Sequence, residues 1–405
     1  MKHQPLPSGY KQSDAGIIPN DWEPVQIGDL VEFIGGSQPP RSTFSFKPKA
    51  GYVRLIQIRD YKTDDFLTYI PETLSKRNCQ PDDIMIGRYG PPIFQILRGI
   101  EGSYNVALIK AIPKDKILKG YLYYVLKSEA LFQLMDLLSQ RSSGQTGVDL
   151  PALKSYWIGL PPVTEQIAIA NALSDVDDLI DSLEQLIAKK RDIKTGTMQK
   201  LLTGKTRLPQ FTNHPDGTPK GIKSSELGEI PEDWEVNRLS DVCSMKSGAS
   251  ITSADLVDGG VYPCYGGNGL RGYTNTYTHD GTYALVGRQG ALCGNVNVAS
   301  GKFFASEHAV VVTPKKGNDT LWLSVVLERM NLNQYSESSA QPGITVSKIM
   351  SLPLLTPLGD EQALIANVLA EMDADIEAIE RRLMKTVLLK QGMMQELLTG
   401  KTRLV

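Results

Sequence analysis

A 44-residue stretch occurs twice in this chain and decides its fold. "EQIAIANALSDVDDLIDSLEQLIAKKRDIKTGTMQKLLTGKTRL" spans 165–208, and "EQALIANVLAEMDADIEAIERRLMKTVLLKQGMMQELLTGKTRL" spans 361–404, with 22 of 44 positions identical. Apolar residues in each copy recur at alternating steps of four and three, the 3.5-residue period of a coiled-coil seam. The seam residues are Ile169, Leu173, Val176, Ile180, Leu183, Ile187, Ile365, Leu369, Met372, Ile376, Ile379 and Leu383. Because one helix cannot bury such a seam alone, we expect the two helices to pair.

The charge pattern favours antiparallel pairing of these helices. The first helix is acidic in its first half and basic in its second half, so an antiparallel partner would face acidic ends with basic ends. Thr164 and Asp360 are predicted N-caps, and Gly204 and Gly400 are predicted to end the helices. Two surface helices, each packed on its own domain, are the alternative.

A second repeat precedes each helix. "PSGYKQSDAGIIPNDWE" (7–23) matches "PKGIKSSELGEIPEDWE" (219–235) at ten of 17 positions. The repeated Trp22 and Trp234 are predicted packing anchors. Because the first copy starts near the N-terminus and the helical repeat ends the chain, we expect residues near 400 to return to the segment around 7–14. The chain is therefore two similar frames that carry two different inserts.

The inserts are predicted to be mixed α/β globules. Short β-branched or apolar runs separated by turn residues favour strands at 52–61, 105–112, 282–288 and 308–314. Two longer apolar patterns, 120–140 and 321–333, favour helices at corresponding places in the two inserts. The segment 209–225 is rich in Pro, Gly and polar residues, so it is predicted to be an extended surface linker.

Composition excludes several classes of protein. The 405 residues include 41% hydrophobic and 22% charged residues, which is typical of a folded protein. No apolar run is long enough for a membrane span or a secretion signal, so we expect a cytoplasmic protein. The four cysteines lack the close spacing of zinc or redox pairs. A net charge of -2 means that any nucleic-acid binding must come from local clusters.

Two segments match phosphate-binding motifs in part, but the residues around them do not favour a phosphate-binding structure. "LLTGKT" ends a helix in both copies, whereas a phosphate loop must precede one, and it lacks the required earlier glycine. "GNGLRG" (267–272) has the dinucleotide-binding spacing, but the Thr- and Tyr-rich run after it does not favour a helix. The sequence contains no complete catalytic constellation.

The two frames resemble the specificity subunit of type I restriction-modification systems. The resemblance rests on "EQ..IA..L...D" leading through a heptad helix to "MQKLLTGKTRL" and "MQELLTGKTRL", each after a variable globule that opens with "IPNDWE" or "IPEDWE". "VYPCYGGNGLRGYTN" (261–275) with "GRQG" (287–290) is similar to a segment of that family's target recognition domains. The resemblance covers essentially the whole chain.

The resemblance implies a mixed α/β (α+β) protein built as a pseudo-two-fold tandem repeat. Its two long helices would form an antiparallel coiled coil that spaces two target recognition domains. Each domain would read one half of a split double-stranded DNA site. The predicted divisions are target recognition domain 1 (1–155), helix 1 (160–207), a linker (208–225), target recognition domain 2 (226–350) and helix 2 (356–405).

The resemblance also implies partners. Two methyltransferase subunits that use S-adenosylmethionine would dock on the helices, with translocating nuclease subunits in a full restriction complex. The sequence leaves open whether a nuclease subunit is present. The chain itself is expected to bind no cofactor or metal, to catalyse nothing alone and to contact no membrane. Unlike inserts would give an asymmetric target, whereas identical inserts would give a palindrome.

The candidate DNA-binding residues are those in polar loops whose side chains can bind the edges of bases. In the first insert they are Arg41, Gln57, Arg59, Arg88, Tyr89, Arg98, Arg141 and Gln145. In the second insert they are Asn268, Arg271, Tyr273, Arg288, Gln289, Asn295, Lys302, His308 and Gln341.

Several candidates also have structural explanations. Arg88 and Arg288 occupy matched positions and could serve the frame. Asn268 could simply adopt a left-handed turn, and His308 could be a core histidine.

Charge balance argues against strong DNA binding by the chain alone. The insert 25–150 has 16 basic and 13 acidic residues, and the insert 240–346 has 7 and 8. Partner subunits would then supply many phosphate contacts. Two other functions stay open at this point: a coiled-coil adaptor that presents two ligand-binding globules, and an enzyme that uses Asp82, Asp83, Glu307 and His308.

Overall fold

The chain forms two compact units, each built from one insert and parts of both long helices. The computed structural model describes residues 6–140, 147–336 and 342–404. Unit 1 comprises residues 1–184 and 382–405, and unit 2 comprises residues 185–381. The predicted mixed α/β fold with two tandem domains and long helices is confirmed. The finer division into recognition domains, helices and linker stays a prediction.

The elements of unit 1 alternate short strands with short helices before one long helix. In chain order they are β1 (Tyr10–Ser13), β2 (Gly16–Pro19), β3 (Glu23–Gln26), α1 (Ile27–Leu30), β4 (Val31–Gly35), β5 (Tyr52–Ile56), β6 (Tyr69–Pro71), β7 (Asn78–Cys79), β8 (Ile84–Gly87), β9 (Gln95–Leu97), β10 (Gly102–Tyr104), β11 (Leu108–Pro113), α2 (Lys119–Leu126), α3 (Glu129–Gln140), α4 (Leu150–Ser155), β12 (Trp157–Leu160) and α5 (Val163–Leu201). Short 3-10 helices occupy Arg41–Thr43, Ile58–Tyr61 and Glu72–Leu74. The residues of α5 up to Glu184 belong to unit 1.

Within its described residues, unit 2 repeats this order except that no α-helix corresponds to α3. Its elements are β13 (Ile222–Ser225), β14 (Gly228–Pro231), β15 (Glu235–Arg238), α6 (Leu239–Val242), β16 (Cys243–Ser247), β17 (Tyr262–Gly266), β18 (Gly269–Thr274), β19 (His279–Asp280), β20 (Tyr283–Gly287), β21 (Val296–Ala299), β22 (Lys302–Ala305), β23 (Ala309–Pro314), α7 (Thr320–Arg329), α8 (Val346–Met350), β24 (Pro353–Thr356) and α9 (Gly359–Leu397). Its 3-10 helices are Pro209–Phe211, Ser253–Asp255 and Leu332–Tyr335. From Arg382 onward α9 belongs to unit 1.

The two inserts share one topology despite their different sequences. One four-stranded antiparallel sheet has the order β4-β11-β8-β9 in unit 1 and β16-β23-β20-β21 in unit 2. A second sheet has the order β6-β5-β10-β7 or β18-β17-β22-β19, with its middle pair parallel in both units. The predicted strands overlap β5, β11, β20 and β23, and the predicted helices overlap α2, α3 and α7. The strand predicted over 52–61 is wrong at its end, because Ile58–Tyr61 form a 3-10 helix, and the single helix predicted over 120–140 is two helices. The shared topology itself was not predicted.

The repeated segments 7–23 and 219–235 each contain a β-hairpin. β1 pairs with β2 and β13 pairs with β14, both antiparallel with the same four-residue register. Within the predicted extended surface segment 209–225, residues 222–225 are extended, as a largely exposed strand paired with residues 228–231. Its start is not extended, because Pro209–Phe211 form a 3-10 helix. In unit 1 the Tyr10 hydroxyl donates to the Gly400 carbonyl at 2.8 Å. The expected return of residues near 400 to the first hairpin is confirmed.

The long helices pair antiparallel within each unit. In unit 1, Lys390 of α9 forms an ion pair with Asp177 of α5. In unit 2, Lys190 lies 3.0 Å from Asp375 and Lys194 lies 2.6 Å from Asp373. The Lys390–Asp177 and Lys194–Asp373 pairs occupy equivalent positions of the repeat. Acidic first halves thus face basic second halves, as the charge pattern predicts.

The predicted seam is sheltered from solvent. All twelve seam residues are buried or half-buried, and Leu173 and Leu369 are fully buried. Ile169 and Leu173 join the core of unit 1, which also contains Trp22 and Leu397. Ile365 and Leu369 join the core of unit 2 with Trp234. Each helix end is therefore anchored in a globular core as well as against the other helix.

Both helices begin one residue before the predicted caps. The carbonyls of Pro162 and Leu358 accept the first helical bonds, from Gln166 N and Gln362 N at 3.0 and 2.9 Å. Thr164 and Asp360 lie inside the first turn, so the N-cap prediction is wrong. The Gln166 side chain instead ties the helix start to the globule, because its Nε2 donates to the Pro161 carbonyl and its Oε1 accepts from Leu118 N.

The predicted glycine at each helix end is confirmed and gives a test of stability. Gly204 has φ +69°, and a Cβ there would lie 2.5 Å from Pro231 Cδ. Gly204→Ala should therefore lower the free energy of unfolding by at least about 1–2 kcal/mol, since a left-handed alanine is strained. Gly196→Ala is the matched control inside α5, where a Cβ meets no atom within 4 Å. It should raise stability by up to about 1 kcal/mol. Urea denaturation measures both, and equal effects would contradict the assigned backbone.

Candidate functional site

Four loops of unit 2 converge at one end of its two sheets. Arg288 N donates to the His308 carbonyl at 2.9 Å, and Gly248 N donates to the Ala309 carbonyl at 3.0 Å. Ser306 N donates to the Tyr265 carbonyl at 2.9 Å, which joins the end of β22 to the end of β17. The loops after β16, β17, β20 and β22 therefore form one continuous surface.

Polar side chains predicted from the sequence meet on this surface. Asn295 Nδ2 donates to Asn268 Oδ1 at 3.2 Å, and both residues are exposed. Arg288 Nη1 donates to Ser247 Oγ at 3.2 Å. Arg271 Nη1 donates to the Ile251 carbonyl at 3.3 Å. These contacts orient the arginine and amide groups while leaving their residues exposed.

Two structural explanations for residues on this surface are wrong. The left-handed residue of the 266–269 turn is Gly269, with φ +90°, so Asn268 is not needed for the turn. The His308 side chain is 45% exposed and lies 3.4 Å from Glu307, so it is not a core histidine. Both side chains are available to a ligand.

The remaining described candidates of unit 2 are also exposed. Lys302 Nζ lies 4.7 Å from the ring centre of Tyr277, which limits how far that lysine side chain moves. Tyr273 is exposed on β18, and Gln289 forms an isolated backbone bridge with Gly343. Gln341 lies outside the described residues.

Unit 1 has the equivalent loop surface with different side chains. Arg88 N donates to the Ala107 carbonyl at 2.8 Å, and this bond is the equivalent of the one from Arg288 N to the His308 carbonyl. The Arg88 guanidinium lies 5.3 Å from the ring centre of exposed Tyr89. Exposed Arg59 lies over Phe66, and exposed Arg41 begins a 3-10 helix.

The other candidates of unit 1 make internal contacts or are not described. Gln57 Nε2 donates to Thr68 Oγ1 at 3.1 Å and is half-buried. Arg98 lies 4.0 Å from the ring centre of Tyr123 but stays exposed. Arg141 and Gln145 lie outside the described residues.

Two of the four residues considered for catalysis, Asp82 and Asp83, are held in ion pairs with lysines. Lys119 lies 2.7 Å from Asp82 and 3.2 Å from Asp83, and Lys110 lies 2.5 Å from Asp83. Hydrogen bonds and charge from Lys119 lower the pKa of Asp82. Burial by itself would raise the pKa of Asp83, but hydrogen bonds from its lysines outweigh burial and lower it. Carboxylates held ionised by lysines are poor proton donors. Among residues 6–140, 147–336 and 342–404, no group of three or more His, Cys, Asp or Glu side chains could hold a metal ion.

A repeated ionic cluster, which the sequence reasoning missed, fixes the frame of each unit. In unit 2, Arg207 binds Glu361 Oε2 at 2.6 Å and Asp233 Oδ1 at 2.8 Å, and Trp234 Nε1 donates to the same Glu361 oxygen at 2.9 Å. Lys220 adds a contact to Asp233 at 2.6 Å. We call Arg207, Lys220, Asp233, Trp234 and Glu361 the unit 2 cluster.

The unit 1 cluster is built in the same way from Asp21, Trp22, Glu165 and Arg403. Arg403 lies 2.7 Å from both Asp21 and Glu165, and Trp22 Nε1 donates to Glu165 at 2.8 Å. The tryptophans are packing anchors as predicted, and each also binds a buried carboxylate. The repeated "DWE", "EQ" and "TRL" letters were the available signal, because a charged residue that recurs in both frames serves the frame.

Hydrogen bonds and charges within the clusters lower the pKa of the two aspartates, Asp21 and Asp233. The hydrogen bond from Arg403 lowers the pKa of Asp21. Burial alone would raise the pKa of Asp233, but the hydrogen bonds from Arg207 and Lys220 outweigh it and lower the pKa. A carboxylate with a lowered pKa stabilises the fold at neutral pH and loses that contribution as the pH falls through its folded-state pKa.

Comparison with known proteins identifies the family. The model of the type I restriction modification DNA specificity domain matches residues 19–189 and 231–387. The chain belongs to this family. The resemblance drawn from the repeated helices is thereby confirmed, and family membership favours DNA specificity over a general adaptor or an enzyme.

Curated relatives carry the same description. The EcoprrI specificity subunit of Escherichia coli is 44% identical over 139 residues, which are 33% of this chain and 35% of that protein. The MjaVIII specificity subunit of Methanocaldococcus jannaschii is 31% identical over 254 residues, 62% of this chain and 56% of that protein. The putative MjaX specificity subunit of the same organism is 28% identical over 427 residues and covers 97% and 96% of the two chains. The matched regions thus span about a third and just over half of the first two relatives.

Solved structures share the fold. The S subunit of a type I restriction-modification system from M. genitalium has a TM-score of 0.62 at 14% identity and covers 98% of both chains. A chain from a type I restriction-modification system, solved to explain complex assembly and conformational transition, has a TM-score of 0.54 at 16% identity and covers 95% of this chain and 99% of that one. Within the described part of the chain, no helix is both long and apolar enough to cross a membrane.

Proposed function

We propose that this chain reads an asymmetric, two-part site on double-stranded DNA for an adenine methyltransferase complex. In this proposal residues 25–150 read one half-site and residues 240–346 read the other. The observation that carries the proposal is that both inserts have the same topology while their loop side chains differ. One backbone that presents two sets of base-reading groups suits recognition of two unlike half-sites.

The chemistry of the loop surfaces supports base recognition. Asparagine or glutamine can bind adenine through two hydrogen bonds, and arginine can bind either guanine or the phosphate backbone. Unit 2 presents Arg288, Asn268 and Asn295 together on one exposed surface. Unit 1 presents Arg59, Arg88 and Tyr89 on the equivalent loops.

Exposed apolar side chains on the long helices support docking of protein partners. In the unit 1 part of α9, Met384, Leu388 and Leu389 are 64%, 60% and 58% exposed. In the unit 2 part of α5, Ile193 is 49% exposed. Apolar groups so exposed are a feature of protein interaction surfaces. We propose that two methyltransferase subunits, which would carry the S-adenosylmethionine, bind the helices, and that nuclease subunits join in a full restriction complex.

The low net charge of the two inserts indicates which contacts to DNA the partner subunits would have to make. Since neither insert is basic, the chain alone should neutralise few phosphates, and its affinity for DNA should be low. The methyltransferase subunits would then provide most backbone contacts, and this chain would provide the base preference.

Mapping of methylated bases tests the proposal directly. A strain that carries this gene and its methyltransferase should methylate adenine in one split, asymmetric sequence throughout its genome. Deleting this gene should abolish the methylation, and restoring it on a plasmid should return the same sequence. Methylation that persists at the same sites without the gene would contradict the proposal.

A further inference from the structure

Two nine-residue segments, each containing the loop of a hairpin, occupy equivalent places in the two units. "GRYGPPIFQ" (87–95) runs from the last residue of β8 to the first residue of β9, and "GRQGALCGN" (287–295) runs from the last residue of β20 to the residue before β21. Both have Gly-Arg-x-Gly at the start and an amide side chain at the ninth position. Gln95, at that position in unit 1, was not among the candidates chosen from the sequence.

The backbones of the two loops are held by the same hydrogen bonds. The carbonyl of Arg88 accepts from Val148 N at 3.0 Å, and that of Arg288 accepts from Ile344 N at 2.9 Å. Near the loop ends, Phe94 N donates to the Gly87 carbonyl at 3.1 Å, and Gly294 N donates to the Gly287 carbonyl at 2.7 Å. With the arginine N–H bonds already described, three bonds fix each loop in the same way.

Backbone dihedral angles show the same correspondence. Gly90 and Gly290 have φ +115° and +93°, and Phe94 and Gly294 have φ +58° and +85°. Positive φ is costly for a bulky residue such as Phe94, so its presence means that the surrounding structure dictates this conformation. The loop is thus a fixed support on which side chains can vary.

The side chains fall into a shared group and a varied group. The arginine at 88 and 288 is common to both loops. Six pairs of residues differ, of which Ile93 and Cys293, and Phe94 and Gly294, are buried. The other four pairs are exposed or half-buried. They are Tyr89 and Gln289, Pro91 and Ala291, Pro92 and Leu292, and Gln95 and Asn295.

We infer that these loops divide DNA contacts within each unit: Arg88 and Arg288 bind phosphate, whereas Gln95 and Asn295 each determine one base of a half-site. The inference rests on the proposed function and names its specificity-determining residues. A side chain common to readers of unlike half-sites suits the phosphate backbone, which has the same charge in every sequence. An amide that differs in length between the loops suits adenine, which offers it a donor and an acceptor in the major groove.

Contacts around the ninth residue support this assignment. The Gln95 side chain reaches back across its loop, where Nε2 donates to the Pro92 carbonyl at 2.9 Å. Asn295 donates to Asn268 on the neighbouring loop. Each amide is therefore oriented before DNA binds, which lowers the entropic cost of a base contact.

The test uses the full chain assembled with its methyltransferase and DNA duplexes that carry single changes in the mapped site. Gln95→Ala should lower discrimination at one base pair of one half-site by roughly 5- to 150-fold, and Asn295→Ala should do so in the other half-site. Gln95→Glu should shift that preference from adenine towards cytosine, because a carboxylate accepts from the cytosine amino group. A shifted preference is a readout that loss of a merely structural residue would not give.

The arginine variants and a control complete the design. Arg88→Ala and Arg288→Ala should weaken binding to all duplexes alike and lower the slope of log affinity against log salt by about one. Gln133→Ala, an exposed amide on α3, should change neither quantity.

The inference would be overturned if the Gln95→Ala and Asn295→Ala complexes kept the parent's base preference while also keeping its melting temperature. A changed preference in either arginine variant would also overturn it. If exchanging a whole insert changes a half-site while these single substitutions do not, the loop assignment is wrong and the proposed function stands. If neither changes the site, the proposed function itself fails.

Discussion

Arg207→Ala should lower the free energy of unfolding by about 3–5 kcal/mol. The Arg207 side chain is 8% exposed and Glu361 is 1% exposed, so the substitution leaves a buried carboxylate without its cation. The expected loss reflects the cost of that unpaired charge, since a buried ion pair in itself contributes little net stability. Chemical denaturation of the purified chain, followed by tryptophan fluorescence, measures the effect because Trp234 binds the same carboxylate.

Two other arginines provide graded controls. Arg403→Ala removes the equivalent residue of the unit 1 cluster, but its side chain is 24% exposed, so water can replace part of the lost contact and the effect should be smaller. Arg381 pairs with Glu377 on the surface of α9, and both side chains are more than 60% exposed. Arg381→Ala should change stability by less than about 0.5 kcal/mol. Equal losses for Arg207→Ala and Arg381→Ala would contradict the role of the cluster.

The long helices could be predicted because their evidence is local. A seam of period 3.5 specifies which residues face inward, and residues from Ile169 to Leu183 obey it in the structure. Their exact starts were missed because a side chain, Gln166, ties the helix start to a distant part of the chain, and no local cap signal reports such a contact.

The ionic clusters and the shared insert topology depend on distant pairings. Asp21, Glu165 and Arg403 come from three parts of the sequence, and nothing in the neighbouring residues of each distinguishes it from an ordinary surface charge. Likewise β5 pairs in parallel with β10, and β17 with β22, across long intervening segments. Sequence periodicity predicts a strand but not its partner. The common topology of the two inserts therefore could not be predicted from their different sequences.

For the loop surface, the sequence indicated which side chains have suitable chemistry, but it did not indicate which contacts those side chains make. Arg288, Asn268 and Asn295 were selected for their chemistry, and the structure brings them together. Gln57 was selected on the same basis but contacts Thr68. Gln95 was not selected, and its equivalence to Asn295 emerges only from matched backbone contacts.

Replacing the second insert with a copy of the first should convert an asymmetric target into a palindromic one. The graft places residues 28–150 where 240–346 now stand. The junctions are compatible, because fully buried Ile27 and Leu239 precede the inserts and buried Leu153 and Ile349 follow them. The frame contact is also shared: Gln166 Oε1 accepts from Leu118 N, and Gln362 Oε1 accepts from Asp319 N, both at 2.9 Å.

The decisive measurement is the genome-wide map of methylated adenines in cells that express this graft with the methyltransferase. We expect the first half-site to persist and the second half-site to become its inverted copy. The reciprocal graft, with residues 240–346 in place of 28–150, should give a palindrome of the second half-site. A folded graft that still methylates the original asymmetric sequence, or that methylates adenine without sequence preference, would contradict the claim that each insert reads one half of the site.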